Sequence, residues 1–236
     1  MSNIETILQE NDMKISRTPQ GLCDWVNSKA SELDKTPEGK CYARSGKQLP
    51  KKFWEEIRPL GLFACSLYGQ RTDVKCTPNL TNENYDGIIE FNDAAPFYIE
   101  ITYAKDGYDE RLRLDVLSKC GSVNMLGTIT KSGTKAAGNQ KVAIVSGNTD
   151  HDINRDKALE IVKTRILAKS KSKKDYGPNY VLVVVVDDFL PFRDEEDKAE
   201  LVEFVESIVQ SVKLDFRAVF LLGETGNYLT CVSGEI

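Results

Sequence analysis

Tyr85-Asp86-Gly87-Ile88-Ile89-Glu90-Phe91-Asn92-Asp93-Ala94-Ala95-Pro96-Phe97-Tyr98-Ile99-Glu100-Ile101-Thr102-Tyr103 is the stretch on which the fold turns. Two runs rich in β-branched and aromatic residues, Tyr85–Phe91 and Pro96–Ala104, flank the turn-prone Asn92-Asp93-Ala94-Ala95, a pattern that predicts adjacent antiparallel strands. Asp86 opens the first run and Glu100 lies in the middle of the second. A carboxylate within an apolar, aromatic strand is costly to desolvate unless a metal, a cation or several donors meet it. A shared divalent ion would satisfy both.

Working outward, Asp73–Thr77 supplies a third strand and completes a meander. On the N-terminal side, Lys51–Leu67 carries a helical stripe interrupted at Pro59-Leu60-Gly61, where a kink is expected. Gly21–Leu33 has helical spacing, Ile4–Leu8 suits a short helix, and Asp34–Pro50, rich in Lys, Gly and Pro, reads as a loop. On the C-terminal side, helices are expected over Asp109–Lys119, from Asn154 to the breaker Gly177-Pro178, and over Lys198–Val212. The glycine- and threonine-rich Gly121–Gly138 reads as a mobile loop and Lys141–Val145 as a short strand. The unbroken apolar run in Tyr180–Val186 suits a central strand buried on both faces, with Ala218–Leu222 and Tyr228–Val232 as further strands.

Composition narrows the function classes. With 236 residues and 41% hydrophobic content, the chain can bury a sizeable core. No uncharged apolar stretch reaches membrane-spanning length, and Met1–Asp12 lacks a secretory leader pattern, so a cytoplasmic protein without a membrane partner is expected. The six cysteines contain no CxxC pair and read as reduced thiols. The single histidine, His151, lies in the loop-like Gly147–Asp152, which suits a solvated loop or helix-start position better than a zinc or triad site. Lys131-Ser132-Gly133-Thr134-Lys135 lacks P-loop spacing. A formal net charge of −5 argues against a generally nucleic-acid-coating surface, but basic residues concentrate over Lys35–Lys52 and Arg155–Lys174.

The order helix, three-stranded meander, helices, buried strand resembles the PD-(D/E)XK nuclease superfamily over roughly Phe53–Val186. The resemblance implies an α/β fold: a restriction-endonuclease-like core with a mixed central sheet flanked by helices (residues 51–236), preceded by a small N-terminal helical and loop extension (residues 1–50). It implies an Mg²⁺- or Mn²⁺-dependent endonuclease acting on DNA, with a homodimer as one possible assembly. Asp86 and Glu100 match the acidic pair, and the main-chain carbonyl of Ile101 would be a third metal ligand. The lysine that ordinarily follows the second acid by two positions is replaced by Thr102, and Tyr85 stands where the proline would be. Lys105 and Lys119 are the candidate replacements for that lysine, and Glu55 or Glu56 for the acid on the first core helix.

Competing readings attach to the same residues. Asp86 could close a turn after Asn82-Glu83-Asn84, Glu100 could pair with Arg71 or Arg113, and Asp187-Asp188 form a rival acidic site or a strand-end turn. Arg111, Arg113 and the Arg155–Lys174 segment would hold a phosphate backbone in the nuclease reading. A noncatalytic protein of the same fold that binds nucleic acid or protein is the alternative.

Overall fold

Val181–Val186 forms the centre of the molecule, and its alternating side chains define two cores. Val181, Val183 and Val185 face one hydrophobic cluster while Leu182, Val184 and Val186 face another. Each side chain so buried contributes about 1.5–3 kcal/mol by leaving water. The structure, a computed structural model, describes residues 4–120, 128–133, 141–145, 150–171 and 176–236.

In chain order the helices are α1 (Glu10–Met13), α2 (Pro19–Asp34), α3 (Pro37–Ala43), α4 (Gln48–Lys52), α5 (Arg58–Tyr68), α6 (Gly107–Cys120), α7 (His151–Ser170) and α8 (Glu195–Ser211). The strands are β1 (Val74–Pro78), β2 (Gly87–Phe91), β3 (Phe97–Tyr103), β4 (Thr128–Ser132), β5 (Lys141–Val145), β6 (Tyr180–Val186), β7 (Ala218–Gly223) and β8 (Leu229–Gly234). Six strands form a mixed sheet in the order β1-β2-β3-β6-β7-β8. β1, β2 and β3 are an antiparallel meander, β3, β6 and β7 run parallel, and β8 returns antiparallel. Helices α2 and α5 cover one face and α7 and α8 the other, the arrangement that parallel strands require to bury both sides. β4 and β5 form a separate two-stranded ribbon, so part of the segment expected to be a loop over Gly121–Gly138 is strand; the rest of it lies outside the described residues.

Two other expectations are corrected. Asp34–Pro50 is not a loop, because Thr36-Pro37 starts α3: the Thr36 hydroxyl accepts the Gly39 N–H at 3.0 Å, and Pro37 fits the first helical turn, where no N–H is needed. α4 then follows over Gln48–Lys52. Leu8, Met13, Leu22, Val26, Leu33 and Tyr42 from these early segments share a core with α5 and the sheet.

The irregularity in the next helical stretch precedes Pro59 rather than falling at 59–61. Between α4 and α5 lies a π-helical turn over Phe53–Ile57. The Arg58 N–H reaches five residues back to the Phe53 carbonyl, and Pro59, with no N–H of its own, sits in the first turn of α5. The wider turn leaves the Trp54 carbonyl without its usual N–H donor from Arg58. The Tyr103 hydroxyl, at the end of β3, donates to it at 3.0 Å, tying the helix to the strand.

Gly87 opens β2 directly under α5: a Cβ there would lie 2.3 Å from Leu60 Cδ2. Gly87→Ala is therefore expected to lower stability by about 1–3 kcal/mol through overpacking. Thermal or denaturant unfolding of the two single variants and the pair should show that Leu60→Ala costs less in the Gly87→Ala background than in the parent. Additive costs would mean that α5 does not press on this strand.

Candidate functional site

The site begins where β2 parts from β3. The Asp86 N–H donates to the Ile99 carbonyl at 2.7 Å, and Asp86 Oδ2 accepts the Ile101 N–H, also at 2.7 Å. Asp86 thus bonds two successive groups on one edge of β3, its carboxylate replacing the main-chain carbonyl that a continuing β2 would have offered. On the other edge, Tyr98 and Ala104 donate their N–H groups to Asn179 and Val185. By the two-residue period of a strand, the Ile101 carbonyl points with its N–H toward Asp86. The Asp86 main chain is fixed from β1 as well, its carbonyl accepting the Asn79 N–H at 2.9 Å.

Glu100 lies between Ile99 and Ile101 and is 3% exposed. It occupies a central strand and projects toward α7, where Lys169 Nζ bonds Oε1 and the Tyr176 hydroxyl donates to the same oxygen at 3.3 Å. Arg71, one of the partners expected for Glu100, pairs instead with Asp73. Lys169 comes from near the end of α7, far from the meander in sequence, and no motif pointed to it; the one available signal was its place in the basic run Arg155–Lys174.

Burial, then the negative charge of Glu100, pushes the Asp86 carboxyl up to about 7, against the opposing effects of the Ile101 N–H and Lys169. Glu56 adds to the repulsion. It projects from the π-helical turn and pairs with Lys52 at 3.3 Å, while Glu55 is 3.8 Å from Lys51. Burial raises both carboxyls against the pull of those lysines, and Glu55 also feels Lys105 and Arg165. Of the two acids of this turn, Glu56 is the one whose charge acts on Asp86, while Glu55 feels the neighbouring cations.

The remaining candidates separate. Thr102 is half-buried on the Glu100 side of β3. Lys105 follows the end of β3 and pairs with Glu224 at 2.5 Å, while its carbonyl accepts a bond from Arg165 at 2.6 Å. Lys119 is on α6, and its side chain lies outside the described residues. Asp187 and Asp188 fix turns: Asp187 accepts the Phe189 and Leu190 N–H groups, and Asp188 accepts the Thr225 N–H. His151 starts α7, and its Nε2 lies 3.0 Å from both Asp197 carboxylate oxygens.

Among the described residues no group of three or more His, Cys, Asp or Glu side chains is placed to hold a metal ion. The donors at the β2–β3 parting are fewer and all oxygen: Asp86, Glu100 and the Ile101 carbonyl. That set fits Mg²⁺, which commonly takes one or two carboxylates and keeps several waters. Among the described residues no helix is long and apolar enough to cross a membrane. No protein-family model matches the chain, and neither a curated protein nor a solved structure matches it.

The raised Asp86 pKa has a testable sign. Its contribution to stability is fully present below the ordinary value of 3.8 and is lost as pH rises to about 7. Asp86→Asn keeps an oxygen for the Ile101 N–H but cannot ionise. Melting curves in chelator should show Asp86→Asn gaining on the parent between about pH 4 and pH 7, with a constant difference above that. A difference independent of pH would contradict the environment described for Asp86.

Proposed function

We propose that the chain is a metal-dependent phosphodiester hydrolase with a restriction-endonuclease-like core, acting on DNA in the cytoplasm. The observation that carries the reading is the conjunction at the β2–β3 parting: Asp86 bound to the Ile101 N–H beside a buried Glu100 that is met by Lys169. Asp86, Glu100 and the Ile101 carbonyl would hold Mg²⁺ or Mn²⁺. When bound, the ion supplies Lewis-acid stabilisation of charge on the phosphate and lowers the pKa of its water.

The chain's own residues supply the rest. Lys169 takes the place of the lysine missing at position 102: its ammonium on Glu100 is positioned to orient a water and to exchange a proton at Nζ. Thr102, on the same side of β3, offers a hydroxyl to the same water but has no comparable proton affinity. Glu56 adds negative charge from the π-helical turn and is itself held by Lys52.

A second reading, a noncatalytic nucleic-acid- or protein-binding member of the fold, draws on the same contact. Lys169 and Tyr176 both engage Glu100 Oε1, so a lysine already provides the compensation that a metal would give this buried acid. Cleavage of plasmid and single-stranded DNA in Mg²⁺ or Mn²⁺ separates the two. The hydrolase reading expects metal-dependent nicking that Asp86→Ala and Glu100→Ala abolish and Lys169→Met slows by about 100-fold or more, while Lys105→Met stays within a few fold of the parent. DNA retention without cleavage in any divalent metal would establish the binding reading instead.

A further inference from the structure

A row of aromatic side chains adjoins the acidic pair and is not used by the chemistry above. Tyr85 immediately precedes Asp86, and Tyr98 lies two residues before Glu100 on the same face of β3. Tyr180 is the cross-strand partner of Tyr98 on β6. The Tyr85 and Tyr98 rings are 5.0 Å apart, and the Tyr98 and Tyr180 rings are stacked, also at 5.0 Å. Tyr176 continues the row 5.4 Å from Tyr180 and 4.3 Å from Phe216, while its hydroxyl touches Glu100. Beyond Phe216 a hollow of about 420 Å³ opens, bordered by Gly177, Pro178, Asp215 and Arg217.

The row differs from the rest of this sheet face. Leu182, Val184 and Val186 are buried beneath α7 and α8, whereas Tyr85, Tyr98 and Tyr180 keep part of their surface in solvent. Two cations lie beside the row, Lys169 on Glu100 and the exposed Arg217 by the hollow. Glu83, whose charge acts on the Tyr85 hydroxyl, and Asp215 offset them, and the whole chain carries a net charge of −5. Phosphate neutralisation alone is therefore a weak source of affinity here, and the rings must supply much of it.

We infer that the site takes a single-stranded polynucleotide, whose unpaired bases stack along Tyr85, Tyr98 and Tyr180 as its backbone passes Asp86 and Glu100. A duplex keeps its base faces inside the helix and cannot use such a row, whereas every unpaired base presents a π-face to it. The inference rests on the nuclease reading only for the identity of the polymer. Lys169 and Arg217 meet phosphates beside the row, and the tyrosines set the strandedness of the substrate.

The test uses the full chain in chelator, so that binding is read without cleavage. Labelled oligo(dT), oligo(rU) and a blunt duplex of equal length are titrated by fluorescence anisotropy at low and moderate salt. The parent should bind at least one of the single strands about tenfold or more tightly than the duplex, with a shallow salt dependence; the stronger of the two identifies the sugar preferred. Tyr85→Ala and Tyr98→Leu should each weaken that binding about tenfold, while Tyr98→Phe keeps the parent affinity and circular dichroism shows all three folded. Duplex binding equal to single-strand binding, or parent affinity in folded Tyr85→Ala and Tyr98→Leu, would overturn the inference. Tyrosine-dependent binding without cleavage when Mg²⁺ or Mn²⁺ is restored would uphold this inference and defeat the nuclease reading. Duplex cleavage indifferent to the tyrosines would do the reverse.

Discussion

The hydrogen bond from the Ile101 N–H to Asp86 Oδ2 is the constraint on which the site depends. A strand in the middle of a sheet needs a partner for every N–H and carbonyl on both edges. β6 provides those on one edge of β3 along Tyr98–Tyr103, but β2 pairs only along Phe97–Ile99. Past that point the β2-side groups of β3 would be orphaned. Asp86 fills the gap for Ile101 with a side chain, which places an ionisable oxygen beside a main-chain carbonyl and next to Glu100. The acidity of the site is thus a consequence of how the sheet ends its pairing.

The surrounding structure holds that geometry from three directions. Gly87 lets α5 press close to the start of β2, since any larger residue would meet Leu60. The π-helical turn before Pro59 leaves the Trp54 carbonyl to Tyr103 and carries Glu56, whose charge acts on Asp86. From the opposite face, α7 brings Lys169 to Glu100, and the segment after it brings Tyr176. Removing one member of such a buried ionic contact is costly because the other keeps its desolvation penalty, typically about 3–5 kcal/mol. Helix α7 is therefore electrostatically linked to β3 at the same point where Asp86 links β2 to β3.

The legible parts of this fold were those set by local pattern. The apolar run in Tyr180–Val186 suits a strand covered on both sides, and the alternation with turn residues over 73–104 marked the meander. Asp86 and Glu100 were visible because a carboxylate is anomalous in such strands. Thr36-Pro37 carried an ordinary helix-start signal that the Lys, Gly and Pro content around it obscured. Lys169 was not legible: it is one lysine among many on a basic helix, and its distinction comes from the docking of α7 against β3 across 69 positions of chain. The π-helical turn was equally hidden, since proline announces an irregularity without saying on which side the extra residue will be accommodated. The tyrosine row needs the β3–β6 register to bring Tyr98 and Tyr180 together.

The proposed function rests on one physical claim: where β2 parts from β3, Asp86, Glu100 and the Ile101 carbonyl would hold a hard divalent cation. Anomalous diffraction from a crystal soaked in Mn²⁺ measures this most directly. The account predicts a single strong peak within bonding distance of an Asp86 oxygen and the Ile101 carbonyl, about 2.0–2.6 Å as is usual for hard cations, with Lys169 displaced from or sharing Glu100. A fully soaked crystal with no peak there, and with Lys169 still closed on Glu100, would contradict it.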